Sequence, residues 1–229
     1  MCCSLPAFKP WTTAQADEWT RARGGMVDTQ LVARGVRDPR VLSTMREVPR
    51  HEFVPAEDRG RAYEDRPLPI GFGQTISQPY IVAFMTEQLV PQRTQRVLEV
   101  GTGSGYQAAV LSKLVAEVFT IEIVEPLARR AIADLARLGF RNVRVRAGDG
   151  YQGWAEAAPF DAVIVTCAPD HVPEPLVQQL KEGGRMIIPV GNFGAQELRI
   201  LEKRAGKVEQ RAVLPVAFVP MTGKAQAEK

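Results

Sequence analysis

Residues 96–123 read RVLEVGTGSGYQAAVLSKLVAEVFTIEI. A short apolar run, RVLEV, stops at three alternating glycines, Gly101, Gly103 and Gly105. YQAAVLSKLV then has helical character, and EVFTIEI is a second β-rich run. Strand, glycine turn, helix and strand make a unit whose two strands lie parallel. The rhythm continues downstream. EPLARRAIADLARLGF is an amphipathic helix with Pro126 near its start, Gly139 at its end, and Leu127, Ala131, Leu135 and Leu138 on its buried face. NVRVRAGD is a third strand. FDAVIVTCAP is a fourth, apolar for most of its length as a central parallel strand should be. EPLVQQLKEGG reads as a helix and RMIIPVG as a fifth strand, and the region 196–221 reads as two strands around Gly206-Lys207. The expected fold is a doubly wound α/β sheet, Rossmann-like and mostly parallel, with a C-terminal antiparallel hairpin.

Upstream the texture is different. Helices are expected over about Met26–Arg34 and Pro39–Glu47, the second with Asp38 at its N-cap and Pro39 at its first position. The stretch 52–80 reads as a long ordered loop, and loops of that length inside a domain are usually functional or disordered. A further helix is expected after Pro79, with Ile81, Phe84, Met85 and Leu89 on one face. Residues 1–25, with scattered prolines and Gly24-Gly25, read as a flexible leader on which Trp11 or Trp19 can dock. The expected organisation is that leader, one domain over 26–222 and a tail over 223–229. Within the domain, 26–95 is the helical and loop segment and 96–222 the α/β core.

Composition excludes several classes. The 229 residues carry a net charge of +3 with dispersed basic residues, which does not point to a nucleic-acid groove. No apolar run approaches the roughly 20 residues of a membrane helix. Three cysteines and two histidines form neither a disulfide framework nor a metal-ligand set, so no metal is expected. The N-terminus lacks a basic start followed by an apolar core, and a reducing cytoplasm is the default location.

The glycine pattern G-x-G-x-G is one residue tighter than the dinucleotide fingerprint. On its own it serves equally a tight turn without a ligand. Glu122 ends the second strand 21 residues after Gly101, where an acidic side chain meets ribose hydroxyls in this fold. Asp149 follows the third strand and is a candidate acceptor for an adenine amine, with Gly150 leaving room for the ring. Alone, Glu122 is a surface residue at a strand end and Asp149 an ordinary turn residue. Together they sit at the carboxyl ends of successive strands, where open α/β sheets bind ligands. No lysine follows the glycines as in a phosphate-binding loop, so the spacing suits a nucleoside without phosphates, such as S-adenosylmethionine (SAM).

One stretch remains, GFGQTISQPY at 71–80, which has two glycines, hydroxyls and amides but no charge. With LPIGFGQTISQPYIVAFMTEQL, VLEVGTGSGYQAAVLSKL, GDGYQGW, FDAVIVTCAP and LKEGGRMIIPVG, the chain resembles the protein-L-isoaspartate O-methyltransferases over about residues 26–222. The resemblance implies transfer of a methyl group from SAM to the α-carboxylate of L-isoaspartyl residues in damaged proteins and peptides. S-adenosylhomocysteine is then the other product, and the ester collapses without further catalysis to a succinimide that yields aspartate. It implies that Ser77 is the active-site serine, in an acceptor loop with Gln74, Thr75 and Ile76. It places SAM contacts at Gly101, Thr102, Gly103, Ser104, Gly105, Glu122, Asp149, Gly150 and Thr166. A monomer without nucleic-acid or membrane partners is expected. Where the family has alanine this chain has Cys167, and the leader lies outside the resemblance.

The chemistry fits an uncharged loop. A carboxylate with a pKa of about 4 is ionised at neutral pH and needs no general base. It needs to be held in line with the sulfonium methyl, and neutral donors orient it without overstabilising its ground state. Locally, Ser77 reads equally well as a helix cap before Pro79.

Overall fold

The computed structural model describes residues 12–192 and 194–227. A seven-stranded sheet is built from β3 (Arg96–Val100), β4 (Glu117–Glu122), β5 (Val143–Ala147), β6 (Phe160–Val165), β7 (Leu180–Asn192), β8 (Ala195–Arg204) and β9 (Lys207–Val216). Their order across the sheet is β5-β4-β3-β6-β7-β8-β9. The first five are parallel, and β8 and β9 complete the expected antiparallel end. The chain enters the sheet at β3, winds outward through β4 and β5, and returns to the other side of β3 at β6. That reversal opens a crevice at the carboxyl ends of β3 and β6.

Alternation along the strands feeds a core on each face. Val97 and Val118 pack on one side with Ala162 and Ile164, and Leu98, Val100, Phe119, Val163 and Val165 on the other. Helices α4 (Tyr106–Ser112) and α5 (Glu125–Arg137) follow β3 and β4. The helix α6 is only Glu174–Gln178, so LKEGG, expected to be helical, is the start of β7. Tertiary partners override local propensity there. Leu180 pairs with Phe160, the Phe160 amide donates to the Gln179 carbonyl, and Lys181 bonds Asp161 at 2.7 Å.

The N-terminal segment departs from expectation in two places. The helix α1 spans Thr13–Met26 and runs on through wider and tighter turns to Arg34, so the expected loose leader is helical from Thr13. Thr12 and Gln15 form a reciprocal capping box, and Trp19 stacks on His51 with ring centroids 4.6 Å apart. These contacts outweigh the cost of Gly24-Gly25 inside a helix, about 1 kcal/mol each. Trp11, Cys2 and Cys3 lie outside the described residues. The second departure is in the long loop. After short turns at Arg50–Phe53 and Ala56–Arg61 it forms a hairpin, β1 (Leu68–Gly71) with β2 (Gln74–Ile76). Helices α2 (Pro39–Glu47) and α3 (Pro79–Gln88) fall where expected. A last turn of helix, α7, covers Lys224–Ala227.

Candidate active site

The crevice at the switch point is a cleft with three walls. The hairpin supplies Gln74, Thr75, Ile76 and Ser77. The strand ends supply Glu99, Gly101, Thr102, Gly103, Ser104, Glu122, Ile123, Gly150, Thr166 and Cys167. The segment after β9 closes the third side with Val219, Pro220, Met221 and Thr222. Of the residues expected from sequence, only Gly105 and Asp149 do not line it.

The glycine turn is held from below. Gly101 has φ +96°, and a Cβ there would lie 2.5 Å from the Thr166 hydroxyl. That hydroxyl donates to the Gly101 carbonyl at 2.7 Å, tying the turn to the end of β6. Gly105 caps α4 and packs toward Leu135, so its role is to let the helix start against α5. Glu122 is buried. One of its oxygens accepts the Gly103 amide at 2.7 Å and the other the Val124 amide at 3.0 Å. Each oxygen retains a second lone pair, so the carboxylate can still accept hydroxyl donors.

Two expected residues also have structural duties. Asp149 accepts from the Tyr151 amide at 3.0 Å and the Lys224 amide at 2.9 Å. It thereby ties the C-terminal segment to the end of β5 and is not among the lining residues of the cleft. Beside Gly150 the space is filled by Val100, whose Cγ1 lies 2.4 Å from where a Cβ would be. Packing on β3 therefore requires a glycine here, and Gly150 also lines the cleft.

Ser77 caps no helix. The N-cap of α3 is Gln78, and no side chain caps that helix. Ser77 is half-buried and faces the cleft. The hairpin that carries it is braced by Arg130 of α5, which donates to the Ile70 carbonyl at 2.6 Å.

Among the lining residues not singled out from sequence are Ile123 and Glu99. Ile123, 42% exposed, extends the apolar wall beyond Glu122. Glu99 is 0% exposed, and neither carboxyl oxygen has a hydrogen-bond partner among the described residues. Burial pushes its carboxyl up to about 8. The visible signal was a charged residue inside the apolar run RVLEV, immediately before the glycines. Burial also pushes the Cys167 thiol up to about 12, so it is protonated at neutral pH and not a nucleophile. No cluster of His, Cys, Asp or Glu able to hold a metal ion occurs among the described residues.

The cleft is electrically asymmetric. Its carboxyls, Glu99 and Glu122, lie at the strand ends, and no lysine or arginine is among the lining residues. The Gln74–Ser77 end is uncharged. A cation is favoured at one end, and an anion held by neutral donors is tolerated at the other.

Comparison with known proteins agrees with this geometry. The family described as protein-L-isoaspartate(D-aspartate) O-methyltransferase matches residues 24–226. Protein-L-isoaspartate O-methyltransferase 2 of Syntrophobacter fumaroxidans is 59% identical over 197 residues, covering 85% of this chain and 80% of the relative. The Opitutus terrae enzyme is 56% identical over 204 residues, covering 89% and 88%. A solved protein-L-isoaspartate O-methyltransferase superposes with TM-score 0.81 at 32% identity, covering 90% of this chain and 67% of its own. A Plasmodium falciparum structure described as a beta-aspartate methyltransferase in complex with S-adenosyl-L-homocysteine gives 0.78 at 27% identity, covering 87% and 98%. The chain belongs to the protein-L-isoaspartate(D-aspartate) O-methyltransferase family.

Proposed function

We infer that this protein transfers the methyl group of SAM to the free α-carboxylate of L-isoaspartyl residues, starting the repair of damaged polypeptides. When bound, SAM supplies an electrophilic methyl group on a sulfonium. The observation that carries the reading is one cleft shared by a cation-favouring glycine turn and a neutral acceptor hairpin. Gly101–Ser104 and Glu122 would hold the nucleoside, Glu122 through its free lone pairs. The buried, unpartnered carboxyl of Glu99 suits the ammonium of the amino-acid end. A buried ionisable group without a partner is costly, and a cationic ligand relieves that cost. Thr166 fixes the turn, and Gly150 lets the segment after β5 pack against Val100 at the end of β3.

On the acceptor side, Gln74, Thr75, Ile76 and Ser77 orient a carboxylate that is already ionised, so no residue needs to remove a proton. Ser77 positions the acceptor and is not a nucleophile. Cys167 stays protonated and takes no part. From the dispersed charge and sparse cysteines of the sequence we further propose a monomer in a reducing cytoplasm, without nucleic-acid partners. Among the described residues no helix is long and apolar enough to cross a membrane.

The test is methyl transfer to two peptides differing only in an isoaspartyl or aspartyl linkage. They are isomers of equal charge, so discrimination must come from where the carboxylate sits. Labelled methyl released by base as methanol should appear with the isoaspartyl peptide alone. Equal labelling of both would overturn the reading. Labelling of neither, with cofactor still bound, would assign the cleft to a small-molecule acceptor.

A further inference from the structure

The turn joining β1 to β2 consists of Phe72 and Gly73, with φ of +55° and +70°. A two-residue hairpin turn with both residues left-handed favours Asn-Gly. An aromatic residue pays a steric penalty there because its Cβ crowds the backbone. Phe72 is also 60% exposed, the most exposed of the large apolar side chains described. Neither conformation nor core packing explains an aromatic ring at this position. Strained residues of this kind concentrate at ligand-binding sites.

The turn is held in place. Its base is tied to α5 by the bond from Arg130 to the Ile70 carbonyl, 2.6 Å long. Ile70 is buried, and its Cδ1 lies 3.3 Å from where a Cβ on Gly103 would be. Two residues beyond Phe72, the strand Gln74–Ile76 and then Ser77 line the acceptor end of the cleft. Phe72 therefore sits at the exposed tip of a hairpin braced against the glycine turn, two residues along the chain from the cleft lining. Nearby charges pair among themselves, Arg34 with Asp65 and Arg66 with Glu64, and Asp65 is linked through its carbonyl to Gln78. With those charges mutually paired, the apolar ring is the feature that would distinguish one flanking residue from another.

We propose that Phe72 is a specificity-determining residue, receiving an apolar side chain next to the isoaspartyl residue of a polypeptide substrate. The proposal rests on the isoaspartyl reading given above. It explains why the acceptor hairpin keeps a ring where a turn would favour Asn: the ring adds a contact outside the cleft without adding charge near the carboxylate.

Two isoaspartyl peptides test it, identical except for leucine or glycine on either side of the isoaspartate. The unaltered protein should favour the leucine peptide by about 10-fold in kcat/KM, the size of effect one apolar contact gives. Phe72→Asn and Phe72→Gly accept the left-handed turn, so the fold should be kept and the melting temperature should not fall. In both variants the preference should drop to about 2-fold or less, chiefly through KM, whereas Phe72→Tyr should retain it. An unchanged preference in the Asn and Gly variants would overturn the proposal, as would an equal loss on both peptides. If the unaltered protein methylates both peptides without preference, the Phe72 proposal fails while the activity stands. If it methylates neither, the activity reading fails and the proposal with it.

Discussion

Glu122 carries two duties, and its removal should separate them from the rest of the site. It holds the Gly103 and Val124 amides and presents its free lone pairs to the cleft. Glu122→Ala should weaken S-adenosylhomocysteine binding by about 1.5–3 kcal/mol, the usual worth of hydrogen bonds to a charged group. Calorimetric titration would measure this, with circular dichroism confirming the fold; unchanged affinity in a folded variant would remove Glu122 from the site. Ser77 should behave in the opposite way. Ser77→Ala should lower turnover on isoaspartyl peptide partially while leaving S-adenosylhomocysteine affinity within about 2-fold, because it lies on the acceptor wall and makes no chemical bond. Full activity would reassign the serine to a passive lining role. Single residues were legible in sequence where their chemistry was local. Gly101, Gly103, Glu122 and Ser77 reach the cleft. Asp149 did not, because its partner is the Lys224 amide, 75 residues away in the chain. Spacing alone does not report a contact between segments that far apart.

At the scale of elements, the C-terminal segment is a strap. Phe218 and Gln196 exchange two hydrogen bonds, Met221 and Val219 pair with Ala168, and Lys224 is tied to Asp149. Between these anchors, Val219–Thr222 form a wall of the cleft. Lys224→Pro removes the amide donor to Asp149 at the first position of α7, where proline is tolerated. It should weaken S-adenosylhomocysteine binding by roughly 5-fold, about 1 kcal/mol for one exposed bond, with faster release and little change in melting temperature. Stopped-flow dissociation would measure the release, and an unchanged off-rate would show that the strap does not gate the cleft. The parallel strands were readable because most are strong apolar runs and β5 alternates valine with arginine. The β1–β2 hairpin was not, because Phe72-Gly73 is an unusual pair for its turn. The first half of α1 was hidden by its polar composition and its glycine pair, although Thr12 and Gln15 had the spacing of a capping box. Its anchor, Trp19 on His51, is tertiary.

Across the whole molecule, two buried groups set opposing responses to pH. Burial raises Glu99 from its ordinary 4.5 to about 8 and lowers His51 from 6.5 to about 4. The raised acid keeps its proton in the fold while the unfolded chain releases it. Its contribution is full below pH 4.5 and is lost as pH rises toward 8. The lowered base stays neutral in the fold while the unfolded chain takes up a proton. Its contribution is full above pH 6.5 and is lost as pH falls toward 4. Between 4.5 and 6.5 the two slopes oppose each other, and above 6.5 Glu99 acts alone. Without added cofactor, stability should therefore fall by about 2 kcal/mol between pH 6.5 and 8, at about 1.4 kcal/mol per unit. Denaturant unfolding across that range would measure it. Glu99→Gln should flatten the alkaline fall, and His51→Asn should reduce the acid one. The same carboxyl links pH to binding. If Glu99 ionises against the ammonium of the ligand, S-adenosylhomocysteine binding should release protons below pH 8 and weaken as pH falls further. Titrations in buffers of different ionisation enthalpy would count those protons. A Glu99→Gln variant that still shows the alkaline fall and the proton release would place both effects on other groups.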